Sequence, residues 1–90
     1  MQPVMIVTGG SQGIGEAVGR LAAKRGYAVA LTYQSNEAMA RAVVADVAAA
    51  GGKAIAVRAE MADETSILAL YRTVDAELGP VTALVNNAGT

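Results

Sequence analysis

Neither cysteine nor histidine occurs in these 90 residues, tryptophan and phenylalanine are also missing, and aromatic side chains make up only 3%. Without cysteine there is no disulfide framework, no zinc-finger spacing and no thiol nucleophile. Without histidine the usual general base is gone, and so is imidazole as a metal ligand. The net charge is −1, which gives no electrostatic footprint for nucleic acid or for an anionic membrane. The first residues, Met1 to Val7, carry no basic segment, and their apolar stretch is too short for a signal peptide or a membrane span. A soluble cytoplasmic protein is expected. What the chain does have is 53% hydrophobic content, dominated by Ala and Val, small side chains that suit close packing of helices on a sheet.

Four short apolar runs alternate with three helix-like segments. The first run is Val4 to Thr8, followed by Ile14, Val18, Leu21 and Ala22 at the spacing of one helix face. Gly26 ends that helix as a C-cap. The second run is Ala28 to Tyr33. Ser35 or Asn36 then caps a second helix, with Met39, Val43, Val47 and Ala50 on one stripe, closed by Gly51-Gly52. The third run is Ala54 to Val57. Asp63 reads as the N-cap of a third helix whose apolar face is Ile67, Leu70, Tyr71, Val74 and Leu78, and Gly79-Pro80 stops it. The fourth run is Val81 to Val85. Continuous rather than alternating apolar runs are expected of strands covered on both faces by helices. The string β-α-β-α-β-α-β predicts an α/β fold with a doubly wound, open parallel sheet of the Rossmann type. Right-handed crossovers allow the strand order 3-2-1-4, with the third helix on the opposite face. No linker, low-complexity tract or second domain is visible, so residues 1–90 read as part of one domain.

Thr8 to Gly15 reads TGGSQGIG, four glycines within seven residues directly after the first strand. Ordering glycine costs entropy, so the cluster must let the backbone go where side chains would block it. In the expected topology it lies at the switch point beyond the carboxyl end of a central strand, where open α/β sheets bind ligands. A helix starting there presents free N–H groups and a partial positive charge. Gly9, Gly13 and Gly15 would clear space for a dinucleotide pyrophosphate, Gly13 by close approach and Gly15 by tight helix–sheet packing. Ser11, Gln12 and Ile14 would donate backbone N–H groups or line the pocket. An ordinary tight βα turn is the alternative. The spacing is not that of a P-loop, because no Gly-Lys-Ser/Thr follows, and phosphoryl transfer is disfavoured.

TGGSQGIG resembles the TGxxxGxG loop of the short-chain dehydrogenase/reductase family, and Asn86-Asn87-Ala88-Gly89 is similar to that family's NNAG motif. The resemblance covers all 90 residues and is nearest the bacterial-type subgroup that includes ketoacyl reductases and glucose dehydrogenases. It implies that Thr8 to Gly15 hold the pyrophosphate and adenosine ribose. Glu60-Met61 stands where the family usually has Asp-Val, the acid accepting from the adenine amino group and the next N–H meeting the ring. Asn86, Ala88 and Gly89 would border the ribose and nicotinamide side, and Asn87 would help fix neighbouring strands. A strand-ending turn is the plainer reading of the two asparagines.

A carboxylate ending the second strand reads the ribose 2′-hydroxyl of NAD and repels a 2′-phosphate. That position lies near Tyr33, and Thr32 to Asn36 carries no acid. NADP is therefore the expected cofactor, with NAD the alternative. The residues placed to meet a 2′-phosphate, Gln12, Gln34, Ser35 and Asn36, are neutral, and would hold it more weakly than a guanidinium.

The resemblance implies hydride transfer between nicotinamide and a small-molecule carbonyl or alcohol. The family's Ser and Tyr-x-x-x-Lys lie on elements after the fourth strand. Tyr27, Tyr33 and Tyr71 are followed four residues later by Leu31, Glu37 and Asp75, so no catalytic residue is assigned. The chain reads as the front half of an oxidoreductase, inactive on its own and homo-oligomeric when full length. The 90 residues alone are expected to be marginally stable and to self-associate through the fourth strand's open edge. A non-catalytic dinucleotide-binding module is the rival reading. A methyltransferase would want an acid ending the second strand, and a response-regulator-like switch would need carboxylates after the first.

Overall fold

The structure, a computed structural model, describes residues 2–9 and 13–86. The strands are β1 (Val4–Thr8), β2 (Ala28–Tyr33), β3 (Lys53–Arg58) and β4 (Ala83–Asn86), and the helices are α1 (Gly13–Lys24), α2 (Glu37–Ala49) and α3 (Glu64–Glu77). All strand pairings are parallel and the order is β3-β2-β1-β4, the doubly wound arrangement expected from the sequence.

Alternation along each strand divides the core in two. Val4, Ile6, Ala28 and Ala30 point to one face, where Leu70 and Val74 of α3 cover them. Val7, Val29 and Leu31 point to the other, against Ala22 of α1 and Val43 and Val47 of α2. Two helices thus cover one face and a single helix the other. The central strands β1 and β2 are almost wholly buried, whereas β3 is half-buried and β4 alternates between half-buried and exposed. Their continuous apolar sequence therefore reflects burial on both faces only for the central pair. Among the described residues β4 pairs with β1 alone.

Local signals set the boundaries. Gly26, Gly51 and Gly79 follow the three helices with positive φ, the left-handed turn that ends a helix at little cost for glycine. Asn36 rather than Ser35 caps α2, its carboxamide oxygen accepting from Met39 N–H at 3.3 Å. Asp63 caps α3 through Thr65 N–H at 2.9 Å.

The expected helix stripes need rotation. On α1 the inward residues are Gly15, Gly19 and Ala22, while Ile14 is 74% exposed and Leu21 52%. On α2 they are Ala40, Val43 and Val47, with Met39 and Ala50 exposed. On α3 Leu70 and Val74 are buried and Tyr71 is not. The reason is closeness of approach: a Cβ on Gly19 would lie 2.7 Å from Leu31 Cδ2, so small residues meet the sheet and larger ones flank the contact. The fourth strand also starts later than Val81: its pairing with β1 begins at Ala83, opposite Met5, while Val81 packs against the α3-side core. Thr82 anchors the approach to β4, with its N–H donating to Val4 O at 2.9 Å and its hydroxyl accepting from Val4 N–H at 3.1 Å.

Candidate functional site: the carboxyl edge of the sheet

Parallel strands bring Thr8, Tyr33, Arg58 and Asn86 to one edge of the sheet. The N-terminus of each helix follows a strand at that edge, so partial positive charge gathers there. β1 is flanked by β2, which its own helix leads to, and by β4, which arrives from the other face. The end of β1 is therefore the switch point.

Gly9 leaves β1 with φ 67° and Gly13 opens α1 with φ 54°. L-residues pay a steric penalty in that region of about 1–2 kcal/mol, so glycine is required at both. Among the described residues, a Cβ placed on Gly13 would meet no atom within 4 Å. Gly9 N–H donates to the Thr32 hydroxyl at 3.0 Å, which fixes the loop's departure to β2. Gly15 is buried on the inner side of α1, and Ile14 is exposed. Ser11 and Gln12 lie outside the described residues, as do Asn87, Ala88 and Gly89.

Glu16 in the first turn of α1 would oppose an anion there. Arg20 answers it with a 3.0 Å ion pair and also reaches Asp46 of α2 at 2.9 Å. Hydrogen bonds with Asp46 first, and Glu16 second, raise the guanidinium's pKa above its ordinary value, keeping the charge in place.

On the β4 side, the Thr8 hydroxyl lies within hydrogen-bonding reach of Asn86 Oδ1 at 3.1 Å and Val85 O at 3.3 Å. The two motifs read separately in the sequence are thus joined by their own side chains. The strand-fixing amide among the described residues is Asn86; Asn87 lies outside them.

On the β2 side, Tyr33 is half-buried and Ser35 is exposed. The amide of Gln34 donates to Glu60 Oε1 at 2.5 Å, and Glu60 N–H donates to Ser66 Oγ at 2.8 Å. Met61 is partly buried and packs its side chain against the α3-side core. Arg58, absent from the sequence reading, stands here too: its Nε donates to Gln34 O at 3.1 Å. Gln34, Arg58, Ala59, Glu60 and Ser66 line an open cleft of about 260 Å³. The signal that could have found Arg58 is strand register, because it pairs with Tyr33 across the sheet.

A second hollow, of about 460 Å³, lies between α1 and α2 and includes Arg20, Lys24 and Asp46. Among the described residues no group of three His, Cys, Asp or Glu could hold a metal ion, and no helix is long and apolar enough to cross a membrane.

Comparison with known proteins agrees with this architecture. The chain is 44% identical over 86 residues to an uncharacterized oxidoreductase of Escherichia coli K12, YgfF, covering 96% of this chain and 35% of that protein. It is 38% identical over 84 residues to the 3-oxoacyl-[acyl-carrier-protein] reductase FabG of Staphylococcus aureus, covering 93% of this chain and 34% of that one. A short-chain dehydrogenase from Burkholderia cenocepacia, solved in complex with NADP, superimposes with a TM-score of 0.92 at 41% identity, covering 98% of this chain and 36% of the other. The chain thus spans about a third of the length of the relatives it matches. The short chain dehydrogenase family model matches residues 3–90, and with its glycine loop at the switch point of a 3-2-1-4 parallel sheet the chain belongs to that family.

Proposed function

We propose that residues 1–90 form the cofactor-binding part of an NADP-dependent short-chain oxidoreductase, one that moves hydride between nicotinamide and the carbonyl or alcohol carbon of a small molecule. The observation that carries this reading is the pair of left-handed glycines, Gly9 and Gly13, at the end of the central strand and the start of α1, with no described side chain against Gly13. Pyrophosphate fits there because it needs backbone N–H donors, a helix N-terminus and no side chain in the way. The NADP bound by the Burkholderia protein supports the choice of cofactor, and the reductase name of the Staphylococcus relative supports the class of reaction.

In this reading Gly9, Ser11, Gln12, Gly13 and Ile14 meet the pyrophosphate and its ribose, with the buried Thr8 and Gly15 fixing the strand end and the helix packing behind them. Tyr33, Gln34, Ser35 and Asn36 border the adenosine ribose, Glu60 and Met61 the adenine, and Asn86, Ala88 and Gly89 the nicotinamide side. The bound dinucleotide supplies the hydride donor or acceptor. This chain's residues bind and orient it: the Arg20 pair offsets the Glu16 charge, and the Thr8–Asn86 contact fixes the two strand ends. The proton relay belongs to segments other than these 90 residues, as do the substrate pocket and homo-oligomeric assembly. A cytoplasmic location is part of the same proposal.

The test is a titration of the full-length gene product with NADPH and NADH, followed by nicotinamide fluorescence. Saturable binding is expected, weakened at least about tenfold by Gly13→Val, because the new side chain is strained at positive φ and fills the approach. Gly26→Val is the control, since Gly26 has positive φ and open surroundings as well but ends α1 at the other edge of the sheet; it should leave binding intact. No binding of either dinucleotide by the wild type would overturn the proposal. Binding without turnover of any carbonyl or alcohol would favour the non-catalytic module.

A further inference from the structure

In a dinucleotide fold that takes NADP, an arginine near the end of the second strand accommodates the 2′-phosphate and holds it more strongly than neutral groups do. Neither the glycine loop nor the residues just after β2 supply one, since Gln12 and Gln34 are neutral. The third strand does. Arg58 is the last residue of β3 and pairs in register with Tyr33, the last residue of β2. Its Nε donates to the backbone carbonyl of Gln34 at 3.1 Å, which holds the guanidinium across the carboxyl end of β2. Ala54, four residues earlier on β3, packs into the core shared with α1 and α2. Strand alternation therefore puts Arg58 on the face that carries the α1 N-terminus.

The rest of this guanidinium is uncommitted. Arg58 is exposed, and its two terminal nitrogens make no hydrogen bond or ion pair with a described residue. Glu60, two residues on, is the obvious competitor, yet its carboxylate is held by the Gln34 amide instead. Gln34 thus separates the two charges, its carbonyl taking the arginine and its side chain the glutamate. Both charges line the same open cleft.

We infer that Arg58 is the residue that selects a 2′-phosphorylated adenosine, its terminal nitrogens binding the 2′-phosphate while Nε stays on Gln34 O. A guanidinium suits that task because it is always charged and presents paired donors to a phosphate. The inference rests on the dinucleotide reading above and adds to it the source of the cation, β3 rather than the glycine loop or the β2–α2 turn.

The experiment is calorimetric titration of the full-length gene product, wild type and the Arg58→Gln and Arg58→Lys variants. The probes are adenosine 2′,5′-bisphosphate, adenosine 5′-monophosphate, NADPH and NADH. Arg58→Gln should weaken adenosine 2′,5′-bisphosphate and NADPH by about 10- to 100-fold, the loss expected when hydrogen bonds to a charged group go. Adenosine 5′-monophosphate and NADH should stay within about twofold. Arg58→Lys should recover part of the loss, because the charge returns without the fork. Equal weakening of phosphorylated and unphosphorylated ligands would overturn the inference by showing that Arg58 only braces the β2–β3 edge. NADPH affinity unchanged in Arg58→Gln, or a wild type that prefers NADH, would overturn it while leaving dinucleotide binding standing. A wild type that binds no dinucleotide would remove both readings together.

Discussion

Thr8 and Asn86, register partners on β1 and β4, are also linked through their side chains, the threonine hydroxyl lying 3.1 Å from the asparagine Oδ1. Thr8 is fully buried, so its hydroxyl can exchange its protein partners for water only if the strand ends separate. The valine variant keeps the shape and removes the donor. Thr8→Val should destabilise the protein by about 1–3 kcal/mol, the cost of stranding buried acceptors, read from urea midpoints. A change under a few tenths would mean that Val85 O and Asn86 find other donors.

Gly19 predicts a coupling between α1 and β2. Its missing Cβ would lie 2.7 Å from Leu31 Cδ2, and Leu31 is itself fully buried with little room to yield. Gly19→Ala gains up to about 1 kcal/mol of helix propensity against an overpacking cost of about 1–3 kcal/mol, so it should be neutral to mildly destabilising. Gly19→Val keeps the cost and gains less, and should be clearly destabilising. Leu31→Ala should relieve part of that penalty, giving a non-additive double-mutant cycle. Strict additivity in denaturant melts would show that α1 shifts away from β2 instead.

Arg20 joins α1 to α2 through Glu16 and Asp46. Its pKa is raised, chiefly by the Asp46 hydrogen bond and then by Glu16. A raised pKa stabilises fully below the group's unfolded value and fades only as pH climbs through the folded one. For arginine that window lies in strongly alkaline solution. Because Arg20 is partly exposed, Arg20→Met should cost no more than about 1 kcal/mol at low salt. The difference between variant and wild type should stay flat through neutral and mildly alkaline pH as far as Arg20's own titration is concerned, and should shrink as salt screens the pairs. Thermal melts across pH and salt measure both. A cost that grows with salt would point to lost side-chain packing.

Much of the architecture was legible because it is written in local chemistry. Gly26 and Gly79 mark helix ends, Asp63 and Asn36 mark helix starts, and the apolar runs mark the strands. The helix faces were less legible. Apolar spacing favoured Ile14, Leu21, Met39 and Tyr71 as inward residues, yet α1 meets the sheet through Gly15 and Gly19, whose contribution is an absence of side chain. At the site, the glycine loop announces itself in one stretch of chain. Arg58 does not, because its nearness to Gln34 comes from β2–β3 register and spans 24 residues of sequence. A search confined to the segment after β2 passes over a cation delivered by the neighbouring strand.

The order 3-2-1-4 also sets a timetable. β2 and β3 can pair as soon as each leaves the ribosome beside its predecessor, but β4 must return past both to reach β1, as the contact of Thr82 with Val4 across 78 positions records. Closing so long a loop slows folding more than it weakens the product. Until residue 86 has emerged, one flank of β1 stays bare and Thr8 lacks its asparagine. During synthesis the end of β1 is therefore made early and completed late, and until β4 arrives its bare flank is an unpaired strand edge.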